Sequence, residues 1–380
     1  MIGSGTEVVS APPFRARRWV ESLPFRAVAV LLVTRLVCLA ALGAAAQHVH
    51  RPFSAALTVF DGSFYKYIAV YGYPQVVPTG HGPEAQSPLA FFPLYPALLA
   101  VLEKVGLPVA AAAVLLDTVA AASAAVLIAL IVRSWQGDRT ALLTVALWGA
   151  YPLAVVLSLA YAEALFVMFA AGCLLALSRE RTVVAGLCAA LASLTRPTGV
   201  VLILLCLALA MRRRSLPMLG AAALGVTGFG GWLMVLALRT GHVDAWMLTE
   251  RRGWDTYFDG GVQSAQRASH YLAHPFERPA ATAVALVLII MVALIVAATL
   301  GAMPRLYLLY SVLLFVLAVG AHNAYSSTPR FMLPAFPLLV PIASLLARFP
   351  RSLAITAMVI ATAVMAGCGV YVALYSTYPP

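Results

Sequence analysis

Apolar runs of roughly 18 or more residues recur from Phe25 toward the C-terminus of this 380-residue chain. A helix rising 1.5 Å per residue needs about that many to cross the ~30 Å hydrocarbon layer of a bilayer. Only 10% of the residues are charged and mean hydropathy is +0.92, whereas soluble domains carry roughly 25% charged residues. An ordinary soluble domain is therefore excluded, and the expected class is an all-α, polytopic integral membrane protein.

About eleven spans follow from the hydropathy: residues 25–47, 109–132, 140–160, 161–177, 182–195, 199–211, 216–238, 280–300, 304–321, 331–346 and 352–375. Residues 1–24 form a polar N-terminal segment with Arg15, Arg17 and Arg18 just ahead of the first run. That run is too long for a signal-peptide core, so it is expected to be an uncleaved span whose N-terminus is cytoplasmic. Residues 87–105 are apolar but carry Pro88, Pro93 and Pro96. They are expected to form a helix lying in the membrane interface and not a crossing.

With this topology the net charge of +11 becomes a positive-inside signal and not a sign of nucleic-acid binding. Arg133, Arg179, Arg181, Arg212, Arg213 and Arg214 fall on the cytoplasmic side, and Asp61, Glu84, Asp244, Glu250, Asp255 and Asp259 fall on the other. Of the 25 basic residues only Lys66 and Lys104 are lysine, which with the abundant alanine points to a GC-rich, bacterial source and hence a plasma membrane. The five cysteines all lie in apolar runs without a CxxC pair. No disulfide framework or thiolate metal site is expected.

Two outer loops, about 47–108 and 240–279, are long enough to build a site. The first contains FDGSFYKYIAVYGYP, residues 60–74, in which Phe60, Phe64, Ile68 and Tyr71 recur at helical spacing. This predicts a short amphipathic helix at the membrane surface with Asp61 at its start. Asp61 in that place is either a helix N-cap or a carboxylate held at the lipid–water boundary to act as a general base.

Four strings in order, FDGSFYKYIAVYGYP, SPLAFFPLYPALL (87–99), YAEALF (161–166) and RFMLPAFPLL (330–339), together resemble the PIG-V-type mannosyltransferases of the GT-C class over roughly residues 25–347. The family's first motif usually has Trp before its Asp, where this chain has Phe60. The resemblance implies one GT-C-like transmembrane domain, residues 25–380, whose long first outer loop carries interfacial amphipathic helices. It also implies a sugar transferred with inversion from a polyprenyl-phosphate donor, with mannose the expected sugar, to a glycan, glycolipid or protein acceptor outside the cytoplasm. The family's catalytic carboxylate maps to Asp61. The chemistry is compatible: the acceptor hydroxyl needs a base, while the leaving lipid phosphate needs no general acid. No cofactor is required, and His81 with Glu84 offers too few ligands to claim a divalent cation.

Cations for the donor phosphate have two sources. Residues 182–195 and 199–211 are only 14 and 13 long, about 20 Å each, so the TRPTG turn between them is expected to lie recessed, with Arg196 buried. HNAYSSTPRF, residues 322–331, supplies Arg330 and His322, with Asn323 beside it. Arginine suits bidentate phosphate contact, although all three positions would equally suit interfacial anchors. Glu163 is expected to be a polar anchor paired with Arg35 or Arg196, and Asp117 a partner of Arg35. Glu84, Glu163, Tyr65 and Asn323 are candidates for acceptor contact or support. A lipid or glycolipid transporter and a non-catalytic membrane scaffold remain as alternative classes.

Overall fold

The computed structural model describes residues 22–377 and Pro379. The expected N-terminal segment, apart from its last residues, lies outside that range. The chain starts with α1 (Leu23–His48), short α2 (Phe53–Leu57), α3 (Asp61–Tyr71) and, after two 3-10 turns, α4 (Leu94–Lys104). Next come α5 (Val109–Gln136), α6 (Asp138–Gly149), α7 (Glu163–Ser178), α8 (Thr182–Thr195), α9 (Val200–Arg213) and α10 (Leu216–Thr240). The second long loop holds α11 (Ala245–Trp254) and α12 (Val262–Ala273). Finally come α13 (Pro279–Leu300), α14 (Arg305–Gly320), α15 (Thr328–Phe331), α16 (Val340–Leu346) and α17 (Arg351–Leu374).

Among the described residues five helices, α1, α5, α10, α13 and α17, are long and apolar enough to cross a membrane. A sixth crossing is available if Tyr325–Phe331 and Phe336–Leu346, bent by 79° at their break, count as one. Between 28 and 44% of each long apolar stretch is buried in the protein. The remainder presents side chains such as Leu36, Met234 and Ile355, a surface stable only against lipid. The chain is thus an all-helical integral membrane protein. The shorter apolar helices α7, α8 and α14 accompany these crossings.

The bend after α15 has a sequence cause. Pro329, Pro334, Pro337 and Pro341 each remove a backbone donor and clash with a continuing helix, so the segment cannot run straight. Its irregular backbone is buried, with Phe336, Leu338 and Thr328 fully enclosed. That burial is the condition for non-helical chain at membrane depth.

Residues 140–160, expected as one span, are instead α6 ending at Gly149 followed by a 3-10 turn at Ala154–Leu157. Pro152 disfavours helical conformation in the residue before it. Arg35, 3% exposed within α1, donates to the freed carbonyls of Gly149 and Ala154. Arg35 therefore serves a helix break and does not pair with Asp117, which accepts instead from the Tyr95 hydroxyl at 2.9 Å. α8 and α10 approach closely because a Cβ at Gly228 would stand only 2.2 Å from the Ala190 carbonyl oxygen, the small-residue contact that membrane helix pairs favour.

Candidate active site

α3 begins at Asp61, as the spacing predicts. Its protein-facing residues are Gly62, Tyr65 and Ile68, however, while Phe60 and Phe64 are half-buried and Tyr71 is exposed. The apolar stripe is therefore rotated from the expected one, because α3 packs on α4 through Tyr65, whose ring meets Phe91 and Tyr95 edge-on at 5.1 and 4.9 Å. The N-cap position belongs to Phe60, which has φ +51 and ψ −118 and makes no side-chain cap bond. A bulky residue at positive φ is strained, and such strain persists only where the surroundings impose it. Gly62 allows the turn to press inward, since a Cβ there would sit 3.2 Å from the Ala160 carbonyl oxygen. The Ala160 amide in turn donates to Leu57 O at 2.8 Å. This seam brings the start of α3 against the start of α7.

The carboxylate of Asp61 does not cap its helix. Its Oδ2 accepts from the Arg330 guanidinium at 2.5 Å, with side-chain exposures of 19% and 6%. The Nε of Arg330 lies 3.5 Å from Glu163, which is 1% exposed and also pairs with Arg196. The order Arg196, Glu163, Arg330, Asp61 thus alternates in sign and balances in charge, as buried ions must. Phe331 lies between the two guanidinium groups, 5.6 Å from Arg196 and 5.1 Å from Arg330, and Tyr161 lies 5.2 Å from Arg330. Aromatic faces of this kind stabilise a cation held away from water. The Tyr161 hydroxyl is enclosed without a hydrogen bond among the described residues, and Arg330 Nε has only its 3.5 Å ion-pair contact with Glu163.

The TRPTG turn explains Arg196. α8 stops at Thr195, Arg196 is extended, and Pro197–Gly199 forms a 3-10 turn into α9. A Cβ at Gly199 would stand 2.4 Å from Ser193 Cα, so the reversal is tight and turns Arg196 inward to 11% side-chain exposure. Both arginine side chains are enclosed by protein.

The other expected residues separate from this cluster. His322 is 3.0 Å from Asp259 through Nδ1 and 2.9 Å from Gln263 through Nε2, and it stacks on Tyr257 at 4.4 Å. Its hydrogen bond holds the Asp259 carboxyl below the usual carboxylate range. Asn323, at φ +56, bonds Gln263, Trp254 and Arg267. Both residues fasten the second loop to the end of α14. Glu84 is exposed in a 3-10 turn. Arg252 donates to Pro78 O at 2.8 Å and so ties the two long loops together.

Sequence reasoning passed over Glu250 in the last turn of α11. Trp254, four residues on, meets Phe64 of α3 at 5.6 Å and Phe91 at 5.9 Å, so α11 lies over the start of α3. Burial, and secondarily the Asp61 carboxylate, push the Glu250 carboxyl up to about 8. A groove of about 310 Å³ opens on the flank of the same helix start, lined by Arg51, Thr58, Phe60, Ser63, Ala373 and Ser376.

The all-helical membrane fold is that of a class of membrane glycosyltransferases, GT-C. In fold the chain is similar to ArnT from Cupriavidus metallidurans, solved bound to undecaprenyl phosphate, at 16% identity and TM-score 0.54 over 93% of this chain and 64% of ArnT. It is also similar to the archaeal oligosaccharyltransferase AglB from Archaeoglobus fulgidus, in complex with an inhibitory peptide and a dolichol-phosphate, at 13% identity and TM-score 0.50 over 95% of this chain and 57% of AglB. The chain thus spans less than two thirds of either protein. Residues 87–322, more than half the chain, match glycosyltransferase family 87, and the chain belongs to that family. No curated protein matches it. The match to family 87 and the motif resemblance to the PIG-V type agree on the GT-C class.

Proposed function

We propose that the protein transfers a sugar, mannose by the resemblance of its motifs, from a polyprenyl-phosphate donor to an acceptor hydroxyl, with inversion. The observation that carries this reading is the contact of Asp61 with Arg330, backed by Glu163 and Arg196. A base and phosphate-binding cations meet there at one end of the bundle. In the proposed reaction Arg330 and Arg196 take the donor phosphate, for which guanidinium forks are suited. Asp61 accepts the proton of the attacking hydroxyl as that oxygen bonds the anomeric carbon and the lipid phosphate leaves with its electron pair. Glu163 acts here as a positioning residue that keeps both cations charged and oriented.

The groove beside Phe60 and Ser63, the residues flanking the Asp61–Gly62 turn, is the acceptor approach we assign to this reaction. The distribution of arginines supports an N-terminus inside and a site outside the cytoplasm, in a topology of about eleven crossings if the bent pair and α6, α7, α8, α9 and α14 also span.

The experiment is direct. Purified protein is incubated with polyprenyl-phosphate-mannose, and in parallel with donors carrying other sugars, together with a panel of acceptors. Transfer of mannose, reduced about 10²- to 10⁴-fold by Asp61→Asn in a protein that still inserts and purifies, supports the proposal. Near-normal turnover by that variant removes Asp61 as the base, and transfer of another sugar only would correct the donor.

A further inference from the structure

Where α12 runs into α13, three metal-ligating side chains converge. His270 lies in the last turn of α12 and His274 is the residue that caps it, so the two imidazoles stand one turn apart on one face. Glu277 comes from the turn ahead of α13. The rings of His270 and His274 stack at 4.8 Å, His270 Nε2 is 2.9 Å from Glu277 Oε2, and the three ligand atoms lie within 4.8 Å of one another. All three side chains are exposed.

The hydrogen bonds define which atoms are free to ligate. His274 Nδ1 is 3.1 Å from the His270 carbonyl oxygen, and a carbonyl only accepts, so Nδ1 carries the proton and Nε2 presents its lone pair. A ring nitrogen donating to a backbone carbonyl while the other faces a metal is the usual arrangement of a ligating histidine. His270 Nε2 and Glu277 Oε2 face each other at 2.9 Å, and a metal ion can stand between them. With bonds of about 2.0–2.1 Å, tetrahedral nitrogen and oxygen donors stand roughly 3.3 Å apart. The His270–Glu277 gap would therefore open by a few tenths of an ångström, and His274 would close toward it. Exposed side chains can make both movements by small rotations. An exposed His–Glu pair alone would add little stability.

We propose that His270, His274 and Glu277 form a three-ligand site for a divalent ion of the zinc class, which fastens the end of α12 to the start of α13. Two imidazoles and one carboxylate select zinc or a neighbouring transition metal over magnesium and calcium, which prefer all-oxygen shells. The opposite end of α12 is already tied down: Asp259 accepts from the Gly261 and Gln263 amides, and Ser264 donates to Val319 O at 2.7 Å. At the α12–α13 junction Thr282 Oγ1 already donates to Tyr271 O and Pro275 O at 3.2 and 2.9 Å, and a metal there would add a second, stronger fastening to the helix whose other end carries the Gln263 that holds His322.

The test uses the full chain, freed of any affinity tag, in detergent micelles. Calorimetric titration with Zn²⁺ should show one saturable site per chain, with no comparable binding of Mg²⁺ or Ca²⁺. His270→Ala and His274→Ala should each weaken it at least tenfold, without lowering the zinc-free Tm because both side chains are exposed. Hydrogen exchange across residues 270–282 should slow with Zn²⁺ in the wild type and not in His274→Ala. Absence of saturable zinc binding, retention of it in the double variant His270→Ala/His274→Ala, or binding that leaves exchange unchanged would each overturn the clamp. Sugar transfer is not a readout here, so this result and that of the glycosyltransfer assay are independent.

Discussion

Arg330 donates to Asp61 at 2.5 Å across 269 residues of sequence, so the carboxylate proposed as the base is engaged by the cation proposed for the phosphate. The two roles are then coupled. A donor phosphate competing for Arg330 would release Oδ2 of Asp61 toward the acceptor hydroxyl, and Glu163 on the far side of Arg330 would keep that cation from losing all compensation as it turns.

The first consequence is an order of binding. Acceptor should bind productively after donor, with affinity raised about ten- to a hundredfold by polyprenyl phosphate, the equivalent of one charge-assisted hydrogen bond of roughly 1.5–3 kcal/mol. Calorimetry of acceptor binding with and without the lipid phosphate measures this. Equal affinity in both conditions would mean that the Asp61–Arg330 contact does not gate the site.

Substitution of the arginines separates phosphate binding from anchoring. Arg330 reaches Asp61 through one terminal nitrogen and Glu163 through Nε, a planar fork that a lysine ammonium cannot reproduce. Arg330→Lys and Arg196→Lys should each raise donor KM or lower kcat, and the Ala variants should cost more, by roughly 1.5–3 kcal/mol per charged hydrogen bond lost. An arginine that merely anchors to headgroups would be replaced by lysine without loss, because lysine also snorkels. Steady-state kinetics with varied donor distinguishes the two, and wild-type constants for both Lys variants would take these residues out of the site.

Much of this architecture was legible because membranes constrain sequences heavily. The helix starting at Asp61, the burial of Arg196 at its turn and a buried arginine partner for Glu163, Arg35 or Arg196, followed from apolar spacing, helix length and the cost of buried charge; the structure selects Arg196. What was not legible depends on tertiary geometry. The break of α6 at Gly149 looked like continuous apolar span because its freed carbonyls are satisfied by Arg35 from 114 and 119 residues away. The buried face of α3 was misjudged because aromatic residues point both to protein and to the interface. Glu250 carried no motif, and only the contact of Trp254 with Phe64 shows that α11 covers the start of α3.

Topology can be read by labelling. Single cysteines at Gly80 and Gln136, both exposed, lie at opposite ends of the bundle in the arrangement proposed. An impermeant thiol reagent added to intact cells should modify the first and not the second, after the five native cysteines are replaced. Labelling at Gln136 from outside would place the Asp61 cluster on the cytoplasmic side and require a donor facing the cytoplasm.

Glu250 supplies the pH dependence. Its folded value of about 8 stands above the roughly 4.3 of an unfolded glutamate, so the folded protein holds this proton more tightly than the unfolded chain. The stability it contributes is fully present below the unfolded value and is lost as pH rises through about 8. Ionisation there also adds a negative charge near Asp61 and the proposed phosphate site, opposing an anionic donor. Between pH 6 and 9 the wild type should therefore show a falling Tm and a rising donor KM, and Glu250→Gln should flatten both curves while retaining turnover near pH 6.5. Profiles measured in one ionic strength decide it: parallel curves for wild type and Glu250→Gln would mean that Glu250 does not titrate in this window, and loss of all turnover in the variant would instead assign Glu250 a direct part in the reaction.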